Sequence, residues 1–435
     1  MHPKILIVAP VPYRRSLMSR SYESYFANWE HENLAQFFSS PQTPVKGHCG
    51  TLFQITDAQI IRSMTKRKNK VGKIFFYDDL PFEKDTVIGP KDKNKVLQKL
   101  YKMGSRKNYF YRMMRKILWR KKYWCTPEFN EWLEAFSPEC VFMYASDDYF
   151  IPQIALYAAE KFNIPIISAI GDDHYFNDKF SLNPLYYLYR GMYHRLIDKV
   201  FRHGGSAVYI SDKIRDKYNS EFSINGKTIY LSSESETRDF KTINKTNPLI
   251  CYFGNIRQGR NESLSAIASA LGKINKDYMV NVYSGQNDKD IVKVLTDNKN
   301  IRFMGVIPYS EVLETIKKAD VLIIVEGFKH KHVVVTRYSL STKVADSLQS
   351  GVPVLAYGSD ECAVINYLRD NDCAAVCSDN NELEKTIRNL LTDEEYQKRL
   401  YNNALEIIRK NHNLEKSNKI FEDLVDEVIC DYKKD

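Results

Sequence analysis

Long apolar runs are missing from this chain. Nowhere do about 18 uncharged apolar residues follow one another, so no transmembrane helix is expected. Paired cysteines are missing too. The eight cysteines contain no CxxC spacing, and the two nearest, Cys373 and Cys377, have no histidine cluster beside them. A zinc site is therefore not expected, nor any other metal site, and the thiols read as reduced and buried in a cytoplasmic protein. The opening MHPKILIVAPVP lacks the charged lead-in and small-residue cleavage site of a signal peptide, and reads as a buried first strand. No short internal repeat is visible. What remains is 435 residues of which 43% are hydrophobic, enough for two or three domains with real cores.

The net charge of +9 is concentrated in one place. Residues 91–124 hold thirteen Lys or Arg and a single acid, Asp92, so this segment is +12 and the other residues sum to −3. Charge gathered this way implies a docking surface rather than a generally basic protein.

Along the chain, apolar runs alternate with helical stretches. Strands are expected at Lys4–Ala9, Lys73–Tyr77, Cys140–Ala145, Ile164–Ile170, Ser206–Ile210 and Thr228–Leu231. A polar stretch, Ser232–Pro248, interrupts the pattern, which then resumes with Leu249–Phe253, Tyr278–Ser284, Ile301–Met304, Val321–Val325 and Val352–Tyr357. Strands separated by helices imply crossover connections and parallel sheets. The expected class is α/β, with two Rossmann-like, doubly wound domains facing a central cleft. Their boundaries are placed at 1–235, a linker at 236–248, a second domain at 249–412, and a final helix at 413–435 that returns to the first domain. Ligands of such sheets sit beyond the carboxyl ends of the strands.

Two motifs of the second domain meet that condition. After the strand Leu249–Phe253 comes Gly254-Asn255-Ile256-Arg257-Gln258-Gly259-Arg260, a glycine turn that leads into a helix beginning near Glu262. Free amides at a helix start favour an anion, and Arg257 and Arg260 would add bidentate cationic donors. The second motif is SLSTKVADSLQSGVPVLAYG, residues 339–358. A hydroxyl-rich loop with Ser341 and Thr342 enters a short helix, Lys343 and Asp346 share one face at i, i+3, and Gly351 ends the helix. Taken singly, each motif also fits a surface turn or a surface ion pair; together they offer donors for a diphosphate and an acceptor for ribose hydroxyls.

From Tyr252 to about Val376 the chain resembles the donor-binding half of GT-B glycosyltransferases of the retaining group-1 type that build bacterial polysaccharides. In that family a glycine turn is followed by Arg and, five residues on, by Lys; here Asn255 and Arg260 hold those places, with Arg257 nearby. The family also carries two glutamates seven residues apart. Asp346 fills the second position and Tyr338 stands at the first. Ser341-Thr342-Lys343 matches an S-T-K segment of a polysaccharide-assembly subgroup. Phe303 to Pro308, with Val306 and Ile307, resembles the base-contacting loop, and Ala363–Leu368 also fits. The resemblance implies a nucleotide-diphosphate sugar as donor substrate, UDP foremost, and no further cofactor. It implies a saccharide or polyprenyl-linked acceptor held by the first domain, and retention of configuration. A nucleotide-sugar epimerase of the same fold and a non-catalytic polysaccharide-assembly partner are the rival readings.

Two features of the first domain complete the expectations. Gly171-Asp172-Asp173-His174-Tyr175 follows a strand, so Asp172, Asp173 and His174 are candidates for the acceptor hydroxyl's proton, with a capping cluster as the alternative, Asp being a favoured helix N-cap. Asp147 and Asp148 carry the same ambiguity. Phe110, Met113, Met114, Ile117 and Leu118 form one helical apolar face, ringed by Arg112, Arg115, Lys116, Trp119, Arg120, Lys121 and Lys122. Such a helix fits an anionic membrane surface, which would place the protein on the inner face of the plasma membrane; a core helix with solvated charges is the alternative. No nucleic-acid motif accompanies the charge.

Overall fold

The computed structural model describes residues 2–13, 19–65, 70–82, 109–233 and 236–434. The basic stretch 91–108 lies outside the described residues. The chain divides into two compact units. The first comprises Met1–Ile229 and Glu415–Asp435; the second is Tyr230–Leu414.

The first unit is built on eight strands: β1 Ile5–Ala9, β2 Leu34–Phe38, β3 Thr51–Gln54, β4 Lys73–Phe76, β5 Cys140–Tyr144, β6 Ile166–Ile170, β7 Gly205–Tyr209 and β8 Lys227–Thr228. Their order is β4-β3-β2-β1-β5-β6-β7-β8. All pair in parallel except β3 with β4, so the strand read at 73–77 is an antiparallel edge. Side chains alternate across β1. Leu6 and Val8 join a core with Phe37, Trp119, Trp124 and Phe129, while Ile5, Ile7 and Ala9 face a second core with Phe26, Phe38 and Phe142. Both faces are covered, as a parallel sheet requires.

The last helix, Leu414–Tyr432, belongs to the second of these cores through Phe421, Leu424, Val425, Val428 and Ile429. The Phe421 ring lies within 5.2–5.5 Å of the rings of Tyr25, Phe26, Trp29 and Phe142. Asn418 accepts from Ala27 N at 3.1 Å and donates to Glu23 O at 2.9 Å, which satisfies two backbone groups at the end of the helix Ser19–Phe26.

In the second unit six strands, β9 Ile250–Phe253, β10 Val280–Tyr283, β11 Ile301–Gly305, β12 Val321–Val325, β13 Val354–Tyr357 and β14 Ala375–Cys377, run in the order β11-β10-β9-β12-β13-β14. Every recorded pair is parallel. The order reverses at β9 and β12. Helices that follow β9 and β12 therefore leave toward opposite faces, and a crevice opens between the carboxyl ends of these two strands.

Phe421→Ala should destabilise the protein by about 3–5 kcal/mol in a urea melt, the cost of deleting a fully buried aromatic ring. A loss below about 1 kcal/mol would mean that the final helix does not contribute to this core.

Candidate functional site

The carboxyl ends of β9 and β12 are joined by an ion pair. Arg260 opens the helix Arg260–Ile274 that follows β9, and Glu326 directly follows β12. The Arg260 Nη2 donates to both Glu326 oxygens at 2.7 and 3.0 Å, and Nε donates to Oε2 and to Val325 O, each at 3.2 Å. The Ser263 hydroxyl donates to Glu326 O at 2.7 Å. Burial by itself would lower the Arg260 pKa; the Glu326 carboxylate outweighs it and leaves the pKa raised. The guanidinium is a fixed charge at the reversal point of the sheet.

Close backbone approach makes room for this pair. A Cβ on Gly327 would fall 2.2 Å from Gln258 O, and one on Gly358 would fall 2.9 Å from Glu326 Cβ. Gly254 is the third such position. Its φ is +135°, and a Cβ there would lie 2.0 Å from Lys343 Nζ. The Lys343 amine thus rests on the glycine turn, 5.8 Å from the centre of the Tyr252 ring. Burial, followed by the nearby Arg260 charge, pulls the Lys343 pKa down to about 8.

Lys343 and Asp346 come from the short helix Lys343–Gln349, as the i, i+3 spacing requires. Asp346 accepts from Ser233 Oγ at 2.7 Å, so the carboxylate is held by the segment that enters the second unit. Ser341 stands one turn earlier, where its hydroxyl accepts from Lys343 N at 3.4 Å; Thr342 is exposed. Just after β11, Val306 is exposed beside Gly285, whose Cβ would meet Val306 Cγ2 at 3.3 Å; Ile307 is partly buried. Arg257 is exposed and Asn255 Oδ1 accepts from its amide at 2.8 Å.

Two expectations for this turn change. The helix begins at Arg260, earlier than Glu262, and its first amides are not free. Arg260 N, Asn261 N and Glu262 N donate to Arg257 O, Ile256 O and Gly259 O at 3.3, 3.1 and 3.1 Å. Arg260 in turn is not a free cation but one half of a pair. Glu326 was not anticipated; its only signal is a lone acid at the end of the apolar run VLIIV.

In the first unit the candidate residues separate. Asp173 is buried and committed to its loop: Oδ1 accepts from Tyr175 N at 3.0 Å, Phe176 N at 2.8 Å and Tyr218 OH at 2.8 Å. No helix starts here, so Asp173 closes a turn of its loop rather than capping a helix. Asp172 is exposed and His174 half-buried, with the His174 carbonyl accepting from Arg190 at 2.6 Å. Asp147 pairs with Arg112, and Asp148 with Arg115, which also reaches Asp57 at 3.1 Å. Burial raises the Asp148 pKa and Arg115 offsets part of that rise. Trp119 is fully buried, its indole donating to Asp57 at 2.6 Å. Arg112, Arg115 and Trp119 thus face inward, and the expectation that they contact a membrane is corrected: their partners lie on the same domain. Lys116 lies over the Tyr149 ring, while Arg120, Lys121 and Lys122 are exposed.

Comparison with known proteins bears on the fold and on the second unit. Residues 233–407 match the family described as glycosyl transferases group 1. No curated protein sequence matches the chain. Among solved structures, Anabaena Alr3699/HepE in complex with UDP-glucose is 10% identical with a TM-score of 0.59, over 98% of this chain and 100% of that one. A mutant of S. aureus TarM, in complex with fondaparinux, α-GlcNAc-glycerol and UDP, is 11% identical with a TM-score of 0.59, over 98% and 100%. An E. coli protein titled trehalose-6-phosphate, bound with UDP-2-fluoro glucose, is 9% identical with a TM-score of 0.59, over 97% and 99%. The chain has the GT-B fold, with two Rossmann-like α/β units, and the match to the group 1 glycosyltransferase family falls within the second unit.

Glu326→Ala would leave Arg260 buried without its partner and should lower stability by about 3–5 kcal/mol. Adding Arg260→Met should recover a large part of that loss in the same unfolding measurement. A single-mutant loss below about 1 kcal/mol would contradict the buried-pair description.

Proposed function

We propose that this protein is a glycosyltransferase that moves a sugar from a nucleoside-diphosphate donor to a saccharide or polyprenyl-linked saccharide. UDP is the proposed donor nucleotide, a hexose or related sugar the transferred group, and retention the stereochemical course. The setting is bacterial cell-surface polysaccharide synthesis, capsule or lipopolysaccharide, on the cytoplasmic side. The observation that carries the reading is the Lys343 amine lying on the Gly254 turn, beside the Arg260–Glu326 pair, at the reversal point of a sheet in the segment that matches the group 1 family. The UDP and UDP-glucose in the HepE structures support the choice of nucleotide.

In this reading the bond that breaks joins the sugar's anomeric carbon to the donor's terminal phosphate oxygen, and negative charge grows on the departing diphosphate. Lys343 meets that charge directly. Arg260, locked by Glu326, adds a field that needs no rearrangement at the moment of reaction, which is what electrostatic stabilisation of a transition state demands. Arg257 supplies a further, exposed cation. Asp346 exchanges the Ser233 hydroxyl for the ribose hydroxyls of the donor, and Val306 and Ile307 flank the base. Ser341 and Thr342 border the phosphates. His174 and Asp172 are the proposed acceptor-side groups; Asp173 holds their loop in shape.

Two measurements test the reading. Lys343→Ala should weaken UDP binding by ~1–3 kcal/mol in calorimetry, the worth of a charge-assisted bond; wild-type affinity in that variant would remove the diphosphate assignment. Wild-type affinity should also fall as pH rises through about 8, because above the Lys343 pKa the free protein must take up a proton to meet the diphosphate. Below that pH the ammonium is already charged and the affinity should level off. A flat profile from roughly pH 6 to 10 would contradict the role given to Lys343.

A further inference from the structure

The first unit exposes large apolar side chains in one neighbourhood. On the helix Tyr109–Leu118, Phe110, Met114 and Ile117 are 60, 52 and 44% exposed, spaced i, i+4, i+7 along one stripe. The inner stripe of the same helix is occupied differently, by Arg112 and Arg115 in their ion pairs and by Met113 against Tyr189 and Tyr193. A second group stands at the start of the helix Pro184–Arg202. Phe180 and Leu182 are 85 and 90% exposed, and Tyr187 and Leu188 are about half exposed. The two groups adjoin. Tyr109 packs edge-on against Tyr186 at 4.9 Å, and the Tyr186 hydroxyl accepts from Lys179 N at 2.6 Å, which seats the 179–182 loop next to that contact. Single exposed apolar residues are ordinary on a protein surface; seven around one helix–helix contact are not.

The charge of this neighbourhood has one sign. Helices Tyr109–Leu118 and Lys121–Trp124 contain no acid, and Arg120, Lys121, Lys122 and Lys179 are exposed. Three acids of this neighbourhood are paired with arginines: Asp178 with Arg190 at 2.5 Å, Asp147 with Arg112 and Asp148 with Arg115. Apolar tips ringed by exposed cations match the boundary of an anionic bilayer, where acyl chains take the tips and headgroup phosphates take the cations. A second protein copy would have to bring an acidic, apolar face, and this domain offers the opposite charge at its own patch.

We propose that this surface docks on an anionic lipid bilayer, with Phe180, Leu182, Phe110 and Met114 entering the acyl boundary and Arg120, Lys121, Lys122 and Lys179 held at the headgroups. The inference rests on the first unit alone and stands or falls apart from the donor assignment. It differs from the sequence expectation in its residues, since Arg112, Arg115 and Trp119 are inside.

The test is sedimentation of the full chain with vesicles of phosphatidylglycerol and phosphatidylcholine, against vesicles of phosphatidylcholine alone. The wild type should partition to the anionic vesicles. Phe180→Ser with Leu182→Ser, and separately Phe110→Ser with Met114→Ser, should each weaken that partition about tenfold or more, with an unchanged melting temperature. In a third variant, Leu182→Trp, the added tryptophan should give a blue-shifted emission component on anionic vesicles. Absence of wild-type partition, equal partition to both vesicle types, undiminished partition of the serine variants, or no shift from Leu182→Trp would each overturn the proposal. So would a wild-type dimer that the serine substitutions convert to monomer, because the face would then belong to a second copy of the chain.

Discussion

The second unit depends on one buried ion pair. Arg260 begins the helix after β9 and Glu326 ends β12, so their contact spans the place where the sheet reverses. Neither charge tolerates burial alone, and each fixes the other through two parallel bonds. The glycines follow from this constraint. Gly327 lets the loop after β12 press on Gln258, and Gly358 clears the space over Glu326. Gly254 then leaves just enough height for the Lys343 amine to lie on the turn. Arg260 already has its carboxylate, whereas the Lys343 amine rests on the turn, and its lowered pKa reflects burial and the Arg260 charge beside it.

The two units treat charge in opposite ways. At the carboxyl end of β5 two carboxylates, Asp147 and Asp148, are each held by an arginine, and Asp173 spends one oxygen on its own loop. At the carboxyl ends of β9 and β12, Arg260 is held by Glu326 and the Lys343 amine rests on the Gly254 turn. A diphosphate suits the second arrangement. The first holds the loop after β5 against the helix Tyr109–Leu118.

Much of this was legible in the residues. In the second unit β9, β12 and β13 stand out as buried apolar runs bounded by glycine or polar residues, and Lys343 and Asp346 are three apart on one short helix. β2, β3 and β14 were not anticipated. Leu34–Phe38 carries a glutamine within an apolar run, Thr51–Gln54 is four residues long, and Ala375–Cys377 is three; so few residues establish no period. Glu326 was missed for a related reason, since a lone acid after a strand has no partner within reach along the chain. The basic helix shows the limit most clearly. Its apolar stripe at 110, 114 and 117 and its arginines at 112 and 115 both satisfy helical spacing. Only partners 35, 58 and 33 residues away, Asp147, Asp57 and Asp148, decide that the arginines turn inward.

The central claim is that a nucleoside diphosphate binds between the carboxyl ends of β9 and β12, under the Lys343 amine. The most direct measurement is a crystal structure of the full chain with UDP. The account predicts the diphosphate against Gly254, with a phosphate oxygen at about 3 Å from Lys343 Nζ and the ribose hydroxyls on Asp346 in place of Ser233. UDP bound elsewhere on the chain, or a Lys343 amine still resting on the turn with the nucleotide beyond its reach, would contradict it.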